Sequence, residues 1–136
     1  MQAVRNQVFI TERLKDNPLK SCYHFDQGYI YFREIDNRIL IGGTRNLHST
    51  QETTDQFGQT DNVRSYLKAF VEDRVIGRSI QFEYEWSGIL GVGETKAPII
   101  EEIEDGLFVG VRLGGMGVAI GSGVGQRLAE MVATKK

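Results

Sequence analysis

A chain of 136 residues, 40% hydrophobic and 25% charged, has the size and balance of a folded domain with a sizeable core. Its net charge of −2 gives no basic face for nucleic acid and no polybasic anchor, and no apolar run is long enough to span a membrane. With Cys22 alone no internal disulfide can form, and a reducing, cytoplasmic setting is the expectation; one cysteine with His24 and His48 in different elements suggests no metal site.

The chain opens on a strand-like run at 4–11, without a leader pattern, and a charged loop at 11–20 carries Pro18. Runs at 21–25, 29–34 and 38–43, separated by Asp26-Gln27-Gly28 and Asp36-Asn37, predict a β-meander, because these turn residues tolerate left-handed backbone. In the middle run Tyr29, Tyr31 and Arg33 share one face, and Ile30 and Phe32 the other. Residues 44–59 are polar and predict a surface loop. Thr60 or Asp61 then caps a helix of about 61–76, whose apolar positions Val63, Tyr66, Leu67, Phe70 and Val71 form one stripe ending near Gly77. From Ile80 the period changes to two, with Phe82, Tyr84 and Trp86 against Gln81, Glu83 and Glu85, which predicts a half-buried strand. Runs at 98–104 and 107–113 flank Asp105-Gly106, a hairpin signal, and residues 115–133 close the chain as a helix. The fold class is therefore α+β: a mostly antiparallel sheet with one amphipathic helix and a glycine-rich C-terminal helix.

Of the 16 glycines, seven lie between Gly110 and Gly125. Gly121, Gly123 and Gly125 imitate a dinucleotide fingerprint, but residue 126 is Gln and too little chain follows for a second strand and an acidic ribose partner. Gly117, Gly121 and Gly125 instead line one helix face, where each costs about 1 kcal/mol relative to Ala. Close approach of a flat ligand or of another backbone accounts for such a pattern, and ordinary helix-on-sheet packing is the competing explanation. The strand-to-helix turn Leu113-Gly114-Gly115-Met116-Gly117 offers free N–H groups and a positive dipole end, suited to an anionic or electron-rich group.

The tail LFVGVRLGGMGVAIGSGVGQRLAEMV resembles the C-terminal flavin-contacting segment of the D-amino-acid oxidase family of FAD-dependent oxidoreductases. Trp86-Ser87-Gly88 followed by Pro98-Ile99-Ile100, the strand pair GYIYFREIDNRILIGG, and the opening Arg5-Asn6-Gln7-Val8 are similar to family segments in the same order. The resemblance implies hydride transfer from a carbon bearing an amine or hydroxyl to FAD. It also implies a cofactor contact through Arg112, Leu113, Gly114, Gly115, Met116, Gly117 and Val118, and substrate contacts from Tyr29, with Tyr31 and Arg33 on its face. Cross-strand packing for the tyrosines, solvation for Arg33 and a core position for Trp86 are the structural alternatives. The family's carboxylate-binding arginines fall here on Leu90 and Gly115, which removes the bidentate fork suited to an α-amino-acid carboxylate; Arg112 is a possible substitute or an ion-pair partner.

The resemblance divides the chain into a substrate-binding sheet domain, 1–113, and a flavin-facing turn and helix, 114–136. The family's pyrophosphate-binding βαβ unit has no counterpart in these residues. The expected partners are a small-molecule substrate, an FAD-binding half or subunit, and further copies of the chain if the glycine helix is left uncovered. A non-catalytic α+β binding or assembly module is the alternative.

Overall fold

A computed structural model, which describes residues 1–135, divides the chain into two compact units. The sheet unit is Arg5–Ile89; the hairpin unit is Met1–Val4 with Leu90 onward.

The sheet unit is built on β1 (Gln2–Thr11), β2 (Cys22–Phe25), β3 (Ile30–Ile35), β4 (Arg38–Gly43) and β5 (Phe82–Val92). Their order is β2-β3-β4-β1-β5, and the β2/β3, β3/β4 and β4/β1 pairs are antiparallel. The predicted meander forms, and its second turn is left-handed at both Asp36 (φ 52°) and Asn37 (φ 56°). Helix α2 (Asp61–Phe70) continues through a wider π turn, Val71–Ile76, and stops at left-handed Gly77. Its stripe packs Val63, Leu67, Phe70 and Val71 on Phe9, Ile30, Ile39 and Ile41 of the sheet, while Tyr66 stays exposed. This single layer of helix covers one sheet face and leaves the other open.

The polar segment after β4 is more than a surface loop. It contains a short helix, α1 (Ser49–Glu52), and Glu52 is only 2% exposed. Its carboxylate accepts from Arg5 Nε at 3.1 Å and Nη2 at 3.0 Å, from Gln7 Nε2 at 2.9 Å and from the Thr60 hydroxyl at 3.1 Å. Arg5 also donates to the Gln51 carbonyl, so β1 pins the loop. Thr60 precedes α2 as expected, yet its hydroxyl serves this network in place of a cap.

The hairpin unit pairs β6 (Ile99–Glu104) with β7 (Leu107–Val111) around left-handed Gly106, and α3 (Gly117–Thr134) lies on it. The close approach is made by the strand: a Cβ on Gly110 would come within 2.6 Å of Val124 and 2.8 Å of Leu128. Gly121, Gly123 and Gly125 of α3 face open space. Helix-on-sheet packing therefore does not account for them; their Cβ positions are free on the described residues.

Burial opposes ionisation of Glu52, but the hydrogen bonds from Arg5, Gln7 and Thr60 and the Arg5 charge outweigh it, holding the carboxyl below its ordinary range. A pKa lowered on folding stabilises the fold above the unfolded value, and that stability is lost as pH falls through the folded one. Glu52→Gln should cost about 3 kcal/mol in urea unfolding at neutral pH, because Arg5 is left buried without its counter-charge. The difference from the parent chain should shrink on acidification through the lowered Glu52 pKa.

Candidate functional site

In β3 the alternation predicted from sequence holds from Ile30. Phe32 stacks on Tyr23 and meets Phe70 on the helix-covered side, and Tyr31 and Arg33 fall on the open face. Cross-strand register adds Cys22 and His24 from β2 and Leu40 from β4 to that face, and Val8 joins them from β1. Trp86 corrects the sequence reading. Phe82 and Glu85 both meet Arg64 of α2, although their spacing of three would place them on opposite faces of a regular strand. Trp86 is turned away from the core. It is 44% exposed and walls a cleft of about 360 Å³ with Val8, His24, Tyr31, Arg33 and Leu40. A larger hollow of about 960 Å³ lies along residues 15–22, and its walls are mainly that loop; Arg33 and Cys22 border both spaces.

The members of this face differ in freedom. Tyr31 Oη accepts from Asn6 Nδ2 at 2.8 Å. Burial raises its phenol pKa above the ordinary value, while the Asn6 bond and the charge of Arg45 oppose that rise, so the proton is retained at neutral pH. Arg33 has no ion-pair or hydrogen-bond partner among the described residues and is a free guanidinium at the rim. Tyr29 stands just before β3 with helical backbone (φ −73°, ψ −18°), its ring 5.3 Å from the Arg45 guanidinium, and it does not line the cleft. Asn6 and Gly42 were not legible as site residues. The available signal was the Gly42-Gly43 pair inside a strand, which marks close approach of another chain segment.

The glycine turn belongs to the hairpin unit. Gly114 (φ 59°) and Gly115 (φ 90°) adopt left-handed backbone that opens the corner between β7 and α3. Gly114 N donates to Gly91 O at 3.2 Å and Met116 N to Leu113 O at 2.8 Å. The N–H groups of Gly115, Gly117 and Val118 have no acceptor among the described residues, and Met116 supplies no side-chain cap. Val118 is fully exposed. Three preorganised donors with no side chain over the glycines fit the electron-rich edge of a flavin ring. Leu90 packs beside the turn: a Cβ on Gly115 would lie 3.5 Å from its Cδ1. The two positions that lack the family's arginines are thus neighbours, and their meeting point is apolar.

Arg112 precedes the turn in left-handed backbone (φ 61°), an uncommon state for a residue with a Cβ. It makes no ion pair among the described residues. Its Nε donates to the Ala97 carbonyl at 3.0 Å and its Nη2 to the Thr95 hydroxyl at 3.1 Å, and its stem fills the space beside Gly93. The guanidinium is spent on bracing the loop between β5 and β6.

A sequence profile of the FAD-dependent oxidoreductases that include D-amino-acid oxidase matches residues 1–131, and the chain belongs to this family. FAD is the family's cofactor. Among solved structures, L-proline dehydrogenase from P. horikoshii is similar in fold, with a TM-score of 0.72 at 19% identity. That similarity covers 99% of this chain and 36% of the dehydrogenase, so the chain spans about a third of its length. No curated protein matches the chain. No helix among the described residues is long and apolar enough to cross a membrane.

If Arg112 braces the loop, Arg112→Ala should release it. Limited proteolysis is expected to cut between Gly93 and Ala97 several-fold faster than in the parent chain, with the helical circular dichroism unchanged.

Proposed function

We propose that this chain is the substrate-side, flavin-facing part of an FAD-dependent oxidoreductase that oxidises a C–N or C–OH bond of a small substrate. The observation that carries this reading is the trio of unpaired N–H groups at Gly115, Gly117 and Val118, in a member of an FAD-dependent family. Bound FAD supplies the hydride acceptor. The residues of the turn stabilise negative charge at the ring edge through backbone donors fixed in advance, and Gly114 and Gly115 keep side chains out of its way. Arg112 and Leu113 hold the turn's approach, the first through its loop contacts and the second through the Met116 N–H to its carbonyl.

Tyr31 and Arg33 orient the substrate from the open sheet face, and Trp86, Val8 and Leu40 give it apolar walls. Tyr29 stands outside the cleft, its ring 5.3 Å from the Arg45 guanidinium, and acts on the substrate only if the ligand extends beyond the cleft walls. Leu90 and Gly115 form an apolar margin, which disfavours a carboxylate at that point and favours a substrate whose charge, if any, is met elsewhere. The division of labour follows 1–113 for substrate and 114–136 for flavin.

The outer face of α3, formed by Val118, Gly121, Gly125, Ala129 and Val132, carries no charge, and this supports its being covered by protein that holds the remainder of FAD. The chain alone should therefore purify colourless and associate with itself. A yellow monomer retaining one flavin after desalting would overturn the partner assignment.

The chemistry is tested on the complete flavoprotein, mixed anaerobically with a panel of amines and 2-hydroxy acids. At least one should bleach the flavin, and no bleaching by any of them counts against the oxidoreductase reading. Val118→Pro removes one free donor from a helical turn that does not use it, and should slow that bleaching on the order of 100-fold.

A further inference from the structure

The Asn6–Tyr31 contact has a cost that packing does not repay. Asn6 is 8% exposed and its Oδ1 has no hydrogen-bond partner among the described residues. An unsatisfied buried acceptor costs about 1–3 kcal/mol, and an apolar side chain of the same volume would avoid it. What Asn6 gains is a single contact, from its Nδ2 to Tyr31 Oη at 2.8 Å.

The phenol is fixed from a second side. A Cβ on Gly42 would lie 2.5 Å from Tyr31 Oη and 2.8 Å from the Gln7 carbonyl oxygen, so the ring rests on the bare backbone of β4. Any other residue at 42 would lift it. A tyrosine hydroxyl has one proton to donate and lone pairs to accept with. Asn6 engages the accepting side, and the phenolic proton has no acceptor among the described residues.

We propose that Asn6 is a positioning residue for Tyr31: it engages the accepting side of the hydroxyl, with Gly42 seating the ring, so that Tyr31 meets a ligand as a hydrogen-bond donor. This deepens the assignment of the open sheet face to substrate and rests on it. The complementary ligand group is one that brings a lone pair, such as a neutral amine, a carbonyl or a carboxylate oxygen. Asn6 touches no ligand itself and acts only through Tyr31.

The test uses the full chain labelled with 13Cζ-tyrosine, the Tyr31 signal being assigned by its loss in Tyr31→Phe. In Asn6→Leu and Asn6→Val the Tyr31 resonance should shift, and its titration should move to higher pH, because a donor that favours the phenolate has gone. The urea midpoint should stay the same or rise, since the unpaired oxygen leaves with the amide. A Tyr31 signal unchanged in both variants overturns the proposal. So does a lower urea midpoint, or failure of both variants to fold, because Asn6 would then be a structural residue. No flavin or substrate enters this measurement. Its failure counts against Asn6 alone, whereas the oxidoreductase reading depends on flavin bleaching.

Discussion

The buried carboxylate of Glu52 is the interaction on which the sheet unit's arrangement depends. A charge cannot remain in an apolar interior without partners, and four donors from Arg5, Gln7 and Thr60 converge on it. Those donors come from β1 and from the residue that precedes α2. One side chain on a four-residue helix thereby fixes where the long polar segment lies and where the covering helix begins. With α2 fixed on one face, the apolar stripe has a single place to go. The opposite face is left open, with Tyr31, Arg33 and Trp86 on it.

Absent side chains matter as much as present ones. Gly42 admits the Tyr31 phenol, Gly43 passes the Tyr29 carbonyl at a distance no Cβ permits, and Gly110 seats α3. Each is a short-range steric requirement with a named neighbour. Gly121, Gly123 and Gly125 of α3 differ, because a Cβ there would meet nothing on the described residues. The unpaired donors of the turn belong with them: neither has a partner among the described residues.

Most of the architecture was legible because it rests on periodicity and turn chemistry. The three strands of the meander, the 61–76 helix with its Gly77 stop, the Asp105-Gly106 hairpin and the final helix all follow from local signals. Two features were not legible. Glu52 lies in a run of polar residues, and nothing local distinguishes a glutamate about to be buried from a solvated one; its partners are more than forty residues earlier in the chain or eight later. Trp86 was misplaced because period-two alternation names two faces and does not say how far along the strand the core reaches; Phe82 is buried while Tyr84 and Trp86 are exposed. On the site, the glycine turn could be read from spacing, and Arg33 from the strand period. The bracing role of Arg112 and the hold of Asn6 on Tyr31 depend on neighbours that the sequence does not bring together.

The outer face of α3 has a thermodynamic consequence. Gly121, Gly123 and Gly125 crowd its first half, and each lowers helix propensity by about 1 kcal/mol relative to Ala. The seat supplied by Gly110 reaches Val124 and Leu128, so it secures the middle of the helix and leaves the opening turn to its own weak propensity. The unpaired amides sit on that weak turn. On the proposed reading, a surface that covered the glycine face would also order those amides, so its docking and affinity for an electron-rich ligand would be thermodynamically linked, each strengthening the other by the same factor.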